Sequence, residues 1–184
     1  MLTENQIVQK LSSIDIKEKY IIIHSDITGL VFKNFSVKRL WEIIFHSFGC
    51  KKIYIFPTFT FCFNKKKIWD YYKTKSETGI LSEYFRTNVA NRRIIHPLHS
   101  VAIYSKKNSK KLKHLSKSSF GKGSIWEWFS TSKNVCNVAL GLNLDGGATF
   151  CHFAEEFLKV NYRQYINLPG KVYDKRKKLI KKKY

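Results

Sequence analysis

The sequence predicts an α/β fold, a mostly parallel sheet with helices on both faces. Three observations carry this. Stretches of strand length alternate with stretches of helical period along the chain. The strand stretches are nearly continuous apolar runs, as strands covered on both faces must be. Apolar residues make up 43% and aromatics 15% of the 184 residues, enough for one domain with a sizeable core.

Each element has its own signal. Glu4 to Ser12 reads as a short opening helix. Tyr20 to His24 (YIIIH) is an apolar run of strand length. Ser36 is placed to cap a helix in which Val37, Leu40, Trp41, Ile44 and Phe48 recur at helical spacing, and Gly49 stops it. Lys52 to Phe56 (KIYIF) is a second strand, ended by Pro57. Gly79 to Arg86 reads as a helix, Ser100 to Tyr104 as a strand, Ser109 to Lys117 as a basic helix and Ser124 to Phe129 as a short helix. Val135 to Leu142 (VCNVALGL) has the composition of a buried strand, and Thr149 to Val160 the period of a helix. These elements form a single domain over 1–170, followed by a basic tail over 171–184.

Composition excludes several classes. No apolar run reaches the ~18 residues of a membrane span. MLTENQIVQKLSS lacks a basic end followed by an apolar block, so it is no signal peptide. Cys50, Cys62, Cys136 and Cys151 are scattered without CxxC spacing, which fits reduced thiols in the cytoplasm and neither a zinc site nor a disulfide framework. The formal charge of +21 implies anionic partners. A basic nucleic-acid-binding protein is one reading of that charge, but no RRM, KH, helix-turn-helix or zinc signature accompanies it, so no nucleic-acid partner is expected. Gly121-Lys122-Gly123-Ser124 lacks full P-loop spacing and reads as a turn.

In parallel sheets, ligands collect beyond the carboxyl ends of the strands. Those ends carry His24-Ser25-Asp26-Ile27-Thr28-Gly29, Pro57-Thr58-Phe59-Thr60 and Asn143-Leu144-Asp145-Gly146-Gly147. The helix that follows carries Phe150, Phe153, Ala154, Phe157 and Leu158 as one apolar stripe, with Thr149, His152 and Glu155 on the other side. Glu155 is within i+3 reach of His152, and Glu156 within i+4. A carboxylate bonded to one imidazole nitrogen leaves the other free as a base. The same spacing also describes a threonine-capped helix with a polar outer face, and spacing alone leaves both readings open.

Seven segments in order resemble the antibiotic N-acetyltransferase family, which includes the aminoglycoside 3-N-acetyltransferases. They are IIIHSDITGL, FPTFTF, TKSETGILSEYFR (with Lys75 where the family has proline), RRIIHPLHSVA, FGKGSIWEW, LGLNLDGGATFCHFAEE and NYR. The resemblance runs from about Tyr20 to Gly170. It implies that family's fold rather than the Gcn5 type, and acetyl transfer from acetyl-coenzyme A to a primary amine on an amino sugar, without a metal. It further implies His152 as general base, Glu155 as its orienting carboxylate and Thr149 near the reacting centre. The His24-to-Gly29 loop and Ser100-Val101 would contact the coenzyme.

Two features depart from the family pattern. Family members continue well past the NYR segment, so the chain is expected to be a short member, one part of a homo-oligomeric site, or an inactive remnant. Aminoglycosides are polycations, which a chain of charge +21 repels at long range. An amino sugar on an anionic nucleotide, as used in building surface polysaccharide, is the acceptor the charge favours. An aminoglycoside acetylated in antibiotic resistance is the alternative.

Overall fold

The computed structural model describes residues 2–30, 36–106, 112–113, 115–180 and 184. The described residues form seven strands: β1 (Tyr20–Ser25), β2 (Ile53–Pro57), β3 (Ile68–Asp70), β4 (Arg92–Ile94), β5 (Val101–Tyr104), β6 (Val135–Leu140) and β7 (Lys171–Tyr173). The helices are α1 (Glu4–Ser12), α2 (Val37–Phe48), α3 (Phe63–Lys66), α4 (Ile80–Tyr84), α5 (Ile125–Thr131), α6 (Leu144–Gly147) and α7 (Cys151–Phe157). A 3-10 turn spans Thr28–Leu30, and a π turn, Phe85–Val89, extends α4.

The main sheet has the order β4-β5-β2-β1-β6. β2, β1 and β6 run parallel, with Tyr20 opposite both Ile53 and Val135. β5 runs antiparallel to β2, and β4 antiparallel to β5. Only residues 95–100 join β4 to β5, too short for the crossover a parallel pair needs.

Side chains alternate across the sheet. Ile21, Ile23, Tyr54, Phe56 and Ala102 face α1, α2 and α4, and Trp41 of α2 meets Tyr54 and Phe85 with ring centroids 5.0 Å apart. Tyr20, Ile22, Ile53, Ile55, Val101 and Ile103 face the other way, onto Phe120 and the α5 residues Ile125, Trp126 and Phe129. Each fully buried large apolar side chain contributes about 1.5–3 kcal/mol. Helices therefore cover both faces, as the α/β pattern predicts. The caps follow the sequence too. Thr3 and Gln6 form a capping box on α1, Ser36 accepts from Arg39 N at 3.1 Å, and Gly49 ends α2 at φ 102°.

Four expectations need correcting. β6 is half-buried rather than buried, because among the described residues it is an edge strand, paired only with β1. α7 is shorter than 149–160. It begins after Phe150, which makes no side-chain cap bond, so Thr149 is not the cap, and Lys159 turns the chain at φ 52°. Of its apolar stripe, Phe153 packs on the core, while Phe157 (73% exposed) and Leu158 (70%) do not. The expected basic helix at 109–117 lies partly outside the described residues, and its described positions are not helical.

The fourth concerns the C-terminal segment, expected as a basic tail. β7 pairs in parallel with β3, and Val172, 1% exposed, packs with Phe63 and Trp69 in a small cluster of its own. The many lysines mask the apolar Val172 and Ile180 that seat this segment. Gly170 makes the approach feasible. A Cβ there would lie 2.4 Å from the Phe63 ring and 2.7 Å from Lys67 O.

Candidate active site

The carboxyl ends of β1 and β2, the start of α4 and the loop after β6 enclose a cavity of about 270 Å³. It is lined by His24, Ser25, Pro57, Phe59, Thr78, Ser82, Leu142, Gly146 and Thr149. His24 is 8% exposed, and among the described residues its Nε2 and the Ser25 Oγ are buried without a hydrogen-bond partner. Burial pushes the His24 pKa down to about 4, so the ring is neutral at pH 7. Unpaired buried polar atoms are costly and rare, and two of them lining one cavity point to a ligand that pairs with them.

The rest of the β1 loop supports this wall. Asp26 Oδ1 accepts from Thr28 N at 2.9 Å and from Thr28 Oγ1 at 2.6 Å, and Ile27 is buried. Those two bonds hold the Asp26 carboxyl below its ordinary range, the side-chain bond contributing most. A Cβ on Gly29 would meet nothing within 4 Å, so that position is open. Ser100 and Val101 are not brought to the cavity. Both are fully buried, and Ser100 Oγ donates to Thr58 O at 2.6 Å while receiving Arg93 Nε at 3.2 Å.

Thr149 lines the cavity, and His152 follows it by one helical turn. The imidazole itself does not line the cavity. Its side chain is 44% exposed, and its ring stands edge-on to Phe120 with centroids 5.0 Å apart. His152 Nδ1 and Glu155 Oε2 are 2.8 Å apart, the i+3 pair the helical period predicts. Glu156 turns away instead, accepting from Ser118 Oγ at 2.7 Å. Gly121 leaves room for that carboxylate, since a Cβ there would lie 2.4 Å from Glu156 Oε1.

Arg163 is the residue whose part sequence reasoning missed. Its Nε donates to Glu155 Oε2 at 2.6 Å, and its Nη2 touches both Glu155 Oε2 and His152 Nδ1. Its guanidinium lies over Phe120, 5.5 Å from the ring centroid. A proton on Nδ1, donated to Glu155 Oε2, leaves the Nε2 lone pair open, whereas an Nδ1 that accepts from Arg163 carries the proton on Nε2 instead. The bonds from His152 and then Arg163 hold the Glu155 carboxyl below its ordinary range. Arg163 lies eight residues past Glu155, beyond helical reach. No local spacing signals the contact, because the turn at Lys159 creates it.

The Gly121–Ser124 turn proves to be a helix cap. Ser124 Oγ accepts from Glu127 N at 3.0 Å, and Glu127 Oε2 accepts from Gly123 N at 2.6 Å. Ser119 Oγ lies 2.7 Å from His99 Nδ1, a further polar cluster one residue from Phe120.

A family model described as aminoglycoside 3-N-acetyltransferase matches residues 57–184. The chain belongs to the aminoglycoside 3-N-acetyltransferase family. The match takes in α7, Arg163 and part of the cavity wall. Solved structures agree with that family in fold. The YokD protein from Bacillus subtilis is similar over 99% of this chain and 74% of its own, with TM-score 0.76 at 18% identity. Sisomicin-bound AAC-VIa is similar over 97% and 73%, with TM-score 0.78 at 13% identity. AAC-IIIb in binary complex with CoASH is similar over 96% and 72%, with TM-score 0.72 at 14% identity. The chain thus spans about three quarters of the length of these structures. No curated protein sequence matches it. Among the described residues of this aminoglycoside 3-N-acetyltransferase family member, no helix is long and apolar enough to cross a membrane.

Proposed function

We propose that the protein transfers an acetyl group from acetyl-coenzyme A to a primary amine of an aminoglycoside-type amino sugar, with His152 as general base. The observation that carries this is the 2.8 Å contact between His152 Nδ1 and Glu155, one turn from the strand-end cavity. Family membership supplies the reaction class. The solved relatives include one with sisomicin and one with CoASH.

The chemistry asks for these groups. An amine is cationic at pH 7 and must shed a proton to attack a thioester. His152 Nε2 accepts that proton, directly or through a water, as the amine nitrogen bonds to the acetyl carbon. The carbon–sulfur bond then breaks, the nitrogen gives up its second proton to become the amide, and the departing thiolate takes up that proton. Glu155 holds the ring in the tautomer that makes Nε2 the base and stabilises the imidazolium that forms. Arg163 fixes Glu155. Thr149 and the orphaned His24 Nε2 and Ser25 Oγ are the polar atoms positioned to meet the acetyl and pantetheine groups. His24 meets them without bringing a charge. Asp26, Ile27, Thr28 and Gly29 shape that wall, and Ser100 and Val101 act only from beneath it.

Thiol release from acetyl-coenzyme A across an amine panel tests the reading. His152→Ala is expected to lose about 10²–10⁴-fold in turnover while still binding coenzyme A. Near-normal turnover would remove His152 from the mechanism.

A nucleotide-linked amino sugar is the second acceptor class, favoured by the net charge of +21. Steady-state rates for such a sugar against kanamycin and gentamicin separate the two acceptors.

A further inference from the structure

α7 carries the base on a helix that buries none of its own residues. Phe153 packs on the core, and Ser130 Oγ donates to Phe150 O at 3.3 Å. Neither contact reaches the imidazole. The Nδ1 contact with Glu155 holds one corner of the ring, while the Cβ–Cγ torsion of a histidine is a broad, two-fold well. Glu155 and Arg163 also belong to the same stretch of chain as His152. They tie the ring to its own segment rather than to the sheet.

Phe120 makes the missing connection. It comes from the turn before α5, and its side chain is buried in a cluster that includes Ile22 of β1 and Ile55 of β2. This one ring meets His152 with centroids 5.0 Å apart and carries the Arg163 guanidinium 5.5 Å from its own centroid. The second distance is that of a cation–π contact. Both partners of Glu155 therefore rest on a single aromatic side chain.

The ring is itself braced. His99 lies 4.7 Å from it and the fully buried Trp126 6.0 Å, between centroids. His99 in turn stands 4.8 Å from Phe59, which lines the strand-end cavity. A row of rings thus runs from the cavity wall through His99 and Phe120 to His152. The backbone around Phe120 is held as well. Ser119 Oγ lies 2.7 Å from His99 Nδ1. Ser118 Oγ donates to Glu156 Oε2 at 2.7 Å and accepts from Phe120 N at 3.3 Å. The turn therefore grips α7 at His152 and again at Glu156, one helical turn on.

We propose that Phe120 is a positioning residue for His152, the platform that ties the imidazole to the core and aims its Nε2 at the amine. This rests on the reading of His152 as general base. Aim matters because a misplacement of about 1 Å can cost about 10²-fold in rate.

Three variants test it. Phe120→Leu removes the ring and keeps an apolar side chain, whereas Phe120→Tyr keeps the ring. Phe129→Leu makes the same loss in the same cluster, at a residue whose ring neighbours are Trp126 and Trp128. Thiol release gives kcat and KM. Nuclear magnetic resonance of protein carrying isotope-labelled histidine reads the His152 ring, assigned by its loss in His152→Gln. Phe120→Leu is expected to lower kcat about tenfold, with the KM for acetyl-coenzyme A within about twofold of wild type. It should also move the His152 ring signals, because the ring current acting on them is gone. Phe120→Tyr and Phe129→Leu should keep both readings near wild type. Wild-type kcat in Phe120→Leu, or an equal loss in either of the other two variants, overturns the proposal, as does a KM that rises in step with the loss. The resonance measurement needs no turnover. Unmoved His152 signals in Phe120→Leu overturn the platform whatever the reaction. Moved signals with no thiol release by the wild type overturn the acetyl-transfer reading alone.

Discussion

Glu155 Oε2 meets both His152 and Arg163, and this sharing organises the site. Its spacing to His152 is legible in the sequence because a helix brings residues three apart onto one side. The contribution of Arg163 is not, because it depends on a left-handed turn at Lys159 that no periodicity announces. The expectation for His24 was partly legible. Its place at a strand end follows from the α/β pattern, whereas its neutrality follows from burial that only the packed fold reveals. That burial has a stability consequence. The His24 pKa is about 4 in the fold against an ordinary 6.5, so between those values the unfolded chain takes up more protons. Stability is therefore fully present above pH 6.5 and falls as the pH drops toward 4. The loss attributable to this one ring is on the order of 3 kcal/mol. Urea unfolding of His24→Gln across that window should show a shallower pH dependence than wild type. An identical slope would mean that His24 is not buried neutral.

At the scale of elements, legibility tracked length and period. The twelve residues of α2 carry three helical turns of apolar repeat, and the runs at β1 and β2 are long enough to read. Strands β3, β4 and β7 have three residues each, too few to show alternation, and β7 is further hidden by its lysines. The β6 stretch reads as a strand, but its apolar composition says nothing of how many neighbours it acquires. The seating of β7 rests on the close packing at Gly170. Gly170→Ala forces a methyl against Phe63 and the Lys67 carbonyl, and should cost about 1–3 kcal/mol. Thermal unfolding measures the loss. Wild-type stability in this variant would show that β7 is not held there.

For the molecule as a whole, the charge of +21 was plain from composition, but its distribution was not. The fold places Arg86, Arg92, Arg93, Lys113 and Lys175 around one cavity beside β4. Like charges at this density repel, and salt screens them within a Debye length of about 8 Å at 0.15 M. The Tm should therefore climb between 20 mM and about 300 mM sodium chloride, and a flat or falling trend would show that local ion pairs outweigh the net charge. α7 has a further bearing on durability. None of its residues is buried, so the helix bearing His152 and Glu155 is anchored less firmly than the sheet it serves. Warming should silence the chemistry while the architecture survives. Catalytic half-life should collapse several degrees below the loss of far-ultraviolet ellipticity, with recovery on prompt cooling.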